Sequence, residues 1–202
     1  MKRLAVLLLV FLPDTARAAN DEWQLEIDVD GVKVWTQDKP GSRYKQARGE
    51  ILVPVSPKRA FSVIVSAETC RKWVYSCVES YVISRPVPDD GIVYMRTNSL
   101  WPVADRDVVF LAKTSFNSSR NEYHAELSKQ QDVVPLVDGV VRIDAMAGSW
   151  TVSEVSENSS RVVFFSHVEP GGLLPAALVN FALGRLHQSS LLKLRDFLKR
   201  GE

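Results

Sequence analysis

"HVEPGGLLPAALVN" (residues 167–180) is the stretch that decides how this chain is read. It begins as the end of a strand, breaks at Pro170-Gly171-Gly172, and restarts at Pro175 as a helix with almost no charge. Leu173, Leu174, Ala176, Ala177, Leu178 and Val179 precede the first charged residue, Arg185. A helix this apolar needs cover on most of its circumference. Its second half is amphipathic: Val179, Leu183, Leu186, Ser190, Leu194 and Phe197 recur every three or four positions, with Arg185, Lys193, Asp196 and Arg200 opposite. The pattern predicts one helix over 174–199. Its second half rests on a sheet, and its first half is free to close over an apolar ligand or to meet a membrane. Gly171-Gly172 reads either as an adaptable joint for that half or as a plain turn.

Strands supply what lies beneath. Segments 23–29 and 32–36 flank Asp30-Gly31, a hairpin signal, and 44–53 is a third strand. Ser56 and Pro57 cap and open a helix to about residue 67, and 70–77 is irregular or a short helix. Six further strands are expected at 78–84, 92–100, 107–113, 122–128, 139–151 and 161–168. Short connections imply antiparallel pairing, and helices gathered on one antiparallel sheet make an α+β fold.

The alternation within three strands points to function. Val141, Ile143, Ala145, Ala147 and Ser149 drift towards small residues. Val162, Phe164, Ser166 and Val168 interrupt an apolar face with a hydroxyl, and Val93, Met95, Thr97 and Ser99 do the same. A face packed directly on a helix favours large branched residues. In one strand this is ordinary variation; in three it predicts an internal cavity with a few polar handles.

The 202 residues, 46% hydrophobic and 24% charged, suit one globular domain. Lys2-Arg3, the apolar run 4–12, Pro13 and Ala16-Arg17-Ala18 have the layout of a secretory signal peptide cut after Ala18. That leaves a domain over 19–202 and an exported protein, periplasmic or secreted. Cleavage removes Lys2, Arg3 and Arg17 against Asp14, so the formal charge of +1 becomes −1. With no basic stripe, nucleic acid is not an expected partner. Cys70 and Cys77 stand about 10 Å apart on a continuous helix, too far to bridge, but can meet across a bend. An oxidising compartment and an even count favour a disulfide over two buried thiols. Neither a metal nor a cofactor is expected.

"WPVADRDVVF" (101–110), "VRIDAMAGSW" (141–150), "HVEPGGLLPAALVN" (167–180) and the opening "WQLEIDVDGVKVWT" (23–36) resemble the characteristic segments of START domains, in order over roughly 20–200. The resemblance implies a helix-grip fold: a curved antiparallel sheet wrapped around a long C-terminal helix, enclosing one lipid-sized tunnel. It implies non-enzymatic binding and transfer of a phospholipid or sterol-like lipid, with transient membrane contact. The lid would lie at 171–180 and at the 100–102 turn. Arg106 is similar to a phosphate-gripping arginine of a phosphatidylcholine-binding relative; a structural ion pair with Asp105, Asp107 or Glu50 is the alternative. The acidic and basic pair of sterol-binding relatives falls near Thr97 and Ala112, so this chain departs from the sterol pattern. The residues expected to touch lipid are Arg106, Met95, Thr97, Phe110, Ala145, Ser166, Leu174, Leu178 and Asn180.

No nucleophile elbow, metal-binding histidine pair, phosphate loop or dinucleotide fingerprint is present in the sequence. His124, His167 and His187 are the three histidines; His167, at a strand end beside the lid joint, reads either as a cavity base or, more commonly for a lone histidine there, as a hydrogen-bonding residue or a tip in solvent. A polyketide cyclase-like enzyme of the same fold is the enzymatic alternative, since orientation in a dry pocket can supply much of a rate. A ligand-sensing module is a third reading; any protein partner is left open.

Overall fold

Asp30 and Gly31 adopt φ of 54° and 74°. Two consecutive positive values are what a two-residue hairpin turn of the strand's own twist requires. They join β1 (Gln24–Val29) to β2 (Val32–Gln37), and β3 (Gln46–Val53) adds to β2 antiparallel. This computed structural model describes residues 22–131 and 133–201. The expected signal peptide, 1–18, lies outside the described residues.

After β3 the chain leaves the sheet. Ser56 Oγ accepts the N–H of Arg59 at 3.4 Å and Pro57 occupies the first turn of α1 (Pro57–Ile64), which buries Ala60, Phe61, Val63 and Ile64. A single 3₁₀ turn, 67–69, and α2 (Cys70–Trp73) lead to β4 (Cys77–Ser84). Then follow β5 (Gly91–Thr97), β6 (Asp105–Asn117), β7 (Glu122–Lys129), β8 (Val140–Arg142), β9 (Ala145–Ser156), β10 (Ser159–Glu169) and α3 (Ala176–Arg200). The sheet runs β1-β2-β3-β10-β9-β7-β6-β5-β4, every neighbour antiparallel, so β10 returns to lie beside β3. β8 alone pairs parallel, on the first three residues of β6, where β7 no longer reaches.

α3 lies across β1 to β3. Gly49 of β3 makes this approach possible: a Cβ there would come within 2.6 Å of Leu191 Cδ1. Arg195 Nη1 donates to the Asp30 carbonyl at 2.6 Å, and Ser190 Oγ accepts the Tyr75 N–H at 3.1 Å. The helix is thereby held to the first hairpin at one side and to the α2–β4 turn at the other. Leu191, Leu194, Phe197 and Leu198 bury the core face against Val32, Val34 and Ile51. Each such burial is worth about 1.5–3 kcal/mol. His187 and Leu191 lie on this face, whereas Leu186, expected in the stripe, faces outwards.

Several boundaries differ from expectation, and three of them bear on the cavity. The helix begins at Ala176, because Pro175 is its N-cap. β5 stops at Thr97, so residues 98–104 form a loop. The strand expected over 139–151 is two strands. At the break, Ile143 N–H bonds the Asp107 carbonyl of β6 and Asp144 N–H bonds the Glu169 carbonyl of β10. The chain changes partners there, and its inward face changes parity.

Candidate ligand cavity

Beneath the sheet and helices lies a cavity of about 210 Å³. Its wall is built from alternate residues of several strands: Val93 and Met95 of β5, Phe110 and Ala112 of β6, Phe164, Ser166 and Val168 of β10. α2 contributes Cys70 and Trp73, and α3 contributes Ser190. Among the described residues no charged side chain lines it, and its hydroxyls come from Ser66, Ser80, Ser166 and Ser190. Three rings form one side: Trp73 meets Trp150 edge-on at 5.5 Å and Trp150 stacks on Phe164 at 4.0 Å; His187 stacks on Phe164 at 4.9 Å without lining the cavity.

At α1 the cavity adjoins an outer cleft of about 870 Å³. The two share Val65, Ser66, Ala67, Ser80, Val93 and Ala112 as walls. The cavity alone falls short of the ~300 Å³ at which small-molecule pockets usually begin. A larger ligand must extend into the cleft or widen the cavity.

Met95, Phe110 and Ser166, read from the sequence, are brought together in the wall. Thr97 is not among them; its hydroxyl is 3.4 Å from the Arg106 carbonyl. Ala145 is exposed, which corrects its expected placement: the break at 143–144 turns Met146, Gly148 and Trp150 inwards instead. Leu174 and Leu178 also lie outside the wall, and Leu178 is exposed. Asn180 is a clasp. Its amide oxygen accepts the Lys45 N–H at 2.9 Å and its amide nitrogen donates to the Arg43 carbonyl at 3.1 Å. Tyr44 OH adds a bond to the Leu174 carbonyl at 3.1 Å. The start of α3 is thus tied to the β2–β3 connection.

Arg106 shares its strand face with Val108, Phe110 and Ala112, and stands just beyond the end of the cavity marked by Ile143. Its guanidinium is buried and donates to the Ala104 carbonyl, while its Nε has no hydrogen-bond partner among the described residues. Burial pulls its pKa below the usual value, opposed by Tyr44 and Asp105. The carboxylates weighed as its partners are engaged elsewhere. Asp107 receives Arg142, Glu50 receives Arg161 at 2.6 Å, and Asp105 accepts the Ser99 N–H at 3.0 Å.

His187 and Ser190 gave no distinct signal in the sequence beyond their helical spacing. His187 Nδ1 lies 3.1 Å from the Leu183 carbonyl and Nε2 lies 3.1 Å from Ser166 Oγ. Burial pushes the imidazole pKa down to about 4, so the ring is neutral at physiological pH. Cys70 and Cys77 are disulfide-bonded, their Cα atoms 6.1 Å apart. The bend that joins them passes through Ser76 at positive φ, and Cys70 itself faces the cavity. No group of three His, Cys, Asp or Glu suited to a metal occurs among the described residues. No described helix is long and apolar enough to cross a membrane.

The curved sheet gripping a long helix, with an apolar chamber between them, defines a helix-grip domain. Residues 12–201 match the START domain, and the chain belongs to that family. It is 22% identical to the human phosphatidylcholine transfer protein over 81% of this chain and 78% of that one. An uncharacterised protein of Pseudomonas aeruginosa is 28% identical over 88% of this chain and 87% of its own length. The crystal structure of a STAR-related lipid transfer protein fragment from Xanthomonas axonopodis superposes with a TM-score of 0.80 at 25% identity, covering 88% of this chain and 98% of that one.

Proposed function

We propose that this chain is a non-enzymatic lipid carrier that works outside the cytoplasm after export directed by residues 1–18. One apolar or amphipathic lipid sits in the cavity, is shielded from water, and is released at a membrane or to a partner. The observation that carries this reading is the cavity wall: apolar, without a charged side chain among the described residues, and furnished with hydroxyls. Names of relatives that transfer phosphatidylcholine or are lipid transfer proteins support it.

Arg106 supplies a second element. A buried cation without a carboxylate partner is costly, and an anionic headgroup at the cavity end would relieve that cost. On this reading the carrier would meet a membrane with the same end. Gly171 and Gly172 lie against β8, which pairs with the start of β6 directly after the 98–104 loop. That neighbourhood exposes Leu100, Trp101 and Leu173. Exposed apolar side chains gathered at one end of a domain mark an interaction site, and acyl chains would cover these at little cost.

Ser166 and His187 have the spacing of a nucleophile and its base. Their surroundings argue for binding instead. Ser166 lies in β10, hydrogen-bonded to β3 on one side and β9 on the other, so the neighbouring N–H groups serve the sheet rather than an oxyanion.

Native mass spectrometry of the purified protein, followed by organic extraction, tests the proposal. A stoichiometric lipid is the expected result. A protein that emerges empty, binds no lipid from vesicles, and turns over a polyketide substrate would replace the carrier with an enzyme.

A further inference from the structure

We propose that Ser166 and Ser190, with His187 behind them, form a subsite that selects a ligand carrying a free hydroxyl group on an apolar body. This deepens the carrier reading and rests on it.

The assignment follows from where each proton goes. The Leu183 carbonyl can only accept, so the hydrogen of His187 sits on Nδ1. Nε2 then presents a lone pair, and the contact at 3.1 Å requires Ser166 to donate its hydroxyl proton to it. With that proton committed, Ser166 Oγ faces the cavity as an acceptor. Ser190 is its complement. Its oxygen already accepts the Tyr75 N–H at 3.1 Å, and its hydroxyl proton has no acceptor among the described residues. Both serines line the cavity and both are buried, at 8% exposure each. His187 and Ser190 are three positions apart on α3, on one face of the helix.

In the proposed subsite a single ligand hydroxyl group between the two serines would satisfy both. It donates to Ser166 Oγ and accepts from the Ser190 O–H. A methyl ether of the same shape can accept but not donate, and it sets its oxygen against the lone pairs of Ser166. A purely hydrocarbon end leaves both serines unsatisfied, which a dry apolar pocket penalises. The rings of Trp150 and Phe164 beside the subsite supply the apolar cover that keeps water from competing.

The test compares 1-dodecanol with 1-methoxydodecane by displacement of a fluorescent fatty probe from the full chain. Wild type is expected to prefer the alcohol about tenfold or more. Ser166→Ala should bring the two within about twofold while keeping the affinity for the ether. Ser190→Ala should weaken both, since both oxygens accept from it. Ser166→Cys, which preserves the packing, checks the same loss of preference should the alanine variant fold poorly. Equal affinity of wild type for alcohol and ether overturns the subsite and leaves the carrier reading intact. Failure of wild type to bind the probe or either ligand overturns the carrier reading and the subsite with it.

Discussion

Arg142 of β8 donates to Asp107 of β6 through Nε at 2.6 Å and through Nη2 at 3.1 Å, a two-point pair with Asp107 only 1% exposed. Tyr94 OH completes the carboxylate's partners at 3.1 Å, and burial followed by the Asp107 charge pushes the phenol up to about 12. The pair fixes β8, and β8 is what Gly171 packs against: a Cβ on Gly171 would come within 2.7 Å of the Arg142 carbonyl. The joint ahead of α3 therefore rests on this ion pair. Asp107→Ala is expected to lower stability by roughly 3 kcal/mol, because it removes the two-point carboxylate contact of Arg142 and the buried acceptor of Tyr94 OH together. Urea denaturation measures this, and the double variant with Arg142→Ala should lose less than the sum of the two single losses.

Arg106 should respond in the opposite sense. Its guanidinium is buried without an ion pair to Asp107 or Glu50, and the charge of Asp105 offsets only part of the cost of burial, so Arg106→Met relieves the fold of an incompletely compensated charge. Stability is expected to hold or to rise by about 1 kcal/mol. Binding of vesicle-derived phospholipids should fall at least tenfold, while that of an uncharged lipid should change little. A thermal melt alongside a lipid-binding assay separates the two effects. A clear loss of stability with phospholipid binding preserved would assign Arg106 to structure alone.

The sequence and the structure agree where a strand runs unbroken, and part where backbone partners change. β6 and β10 run unbroken through these positions, so the alternation read from the sequence brings Phe110 and Ser166 to the cavity wall, with Arg106 on the same strand face as Phe110. Ala145 was misplaced because nothing in "VRIDAMAGSW" announces that Ile143 will bond to β6 and Asp144 to β10. The family resemblance carried the long helix and the cavity beneath it. It did not carry the Asn180 clasp, whose partners Arg43 and Lys45 lie more than a hundred residues away. Nor did it carry the Ser166–His187 bond, since a lone histidine on a helix looks the same in sequence whether it meets water or a serine. Spacing shows which residues share an element's face; it does not show which distant backbone group fills a given bond.

The apolar end of the molecule yields a prediction about transfer rather than folding. Leu173 and Trp101 are almost wholly exposed, at 102% and 92%, so charging them removes no packing. Leu173→Asp and Trp101→Asp are each expected to leave the melting temperature within about 2 °C of wild type, the response of surface sites. Each should slow lipid transfer between vesicles by about tenfold, because a carboxylate must be dehydrated to enter the interface. Fluorescence dequenching between donor and acceptor vesicles provides the rate. Unchanged transfer in both variants would remove this end from membrane contact.

His187 predicts how stability responds to acid. Its pKa is about 4 in the folded chain and about 6.5 when unfolded, so between these values the unfolded chain binds the additional proton. Stability is therefore complete above about pH 6.5, declines as the pH falls from there to about 4, and loses roughly 3 kcal/mol over that window from this group. Glu50 acts lower. The hydrogen bond from Arg161, then the charges of Arg161, Arg48 and Lys33, hold its carboxyl below the ordinary 4.5 against the opposing effect of burial, and its contribution is lost only as the pH falls through that depressed value. Denaturant melts at intervals from pH 7.5 to 4 should show the decline, and His187→Gln, which does not titrate, should flatten it. The same variant leaves an amide in place of the imidazole that orders Ser166, so preference for an alcohol over its methyl ether should fall with it at neutral pH. A slope unchanged by the substitution would assign the acid sensitivity to other groups and leave His187 a polar packing residue.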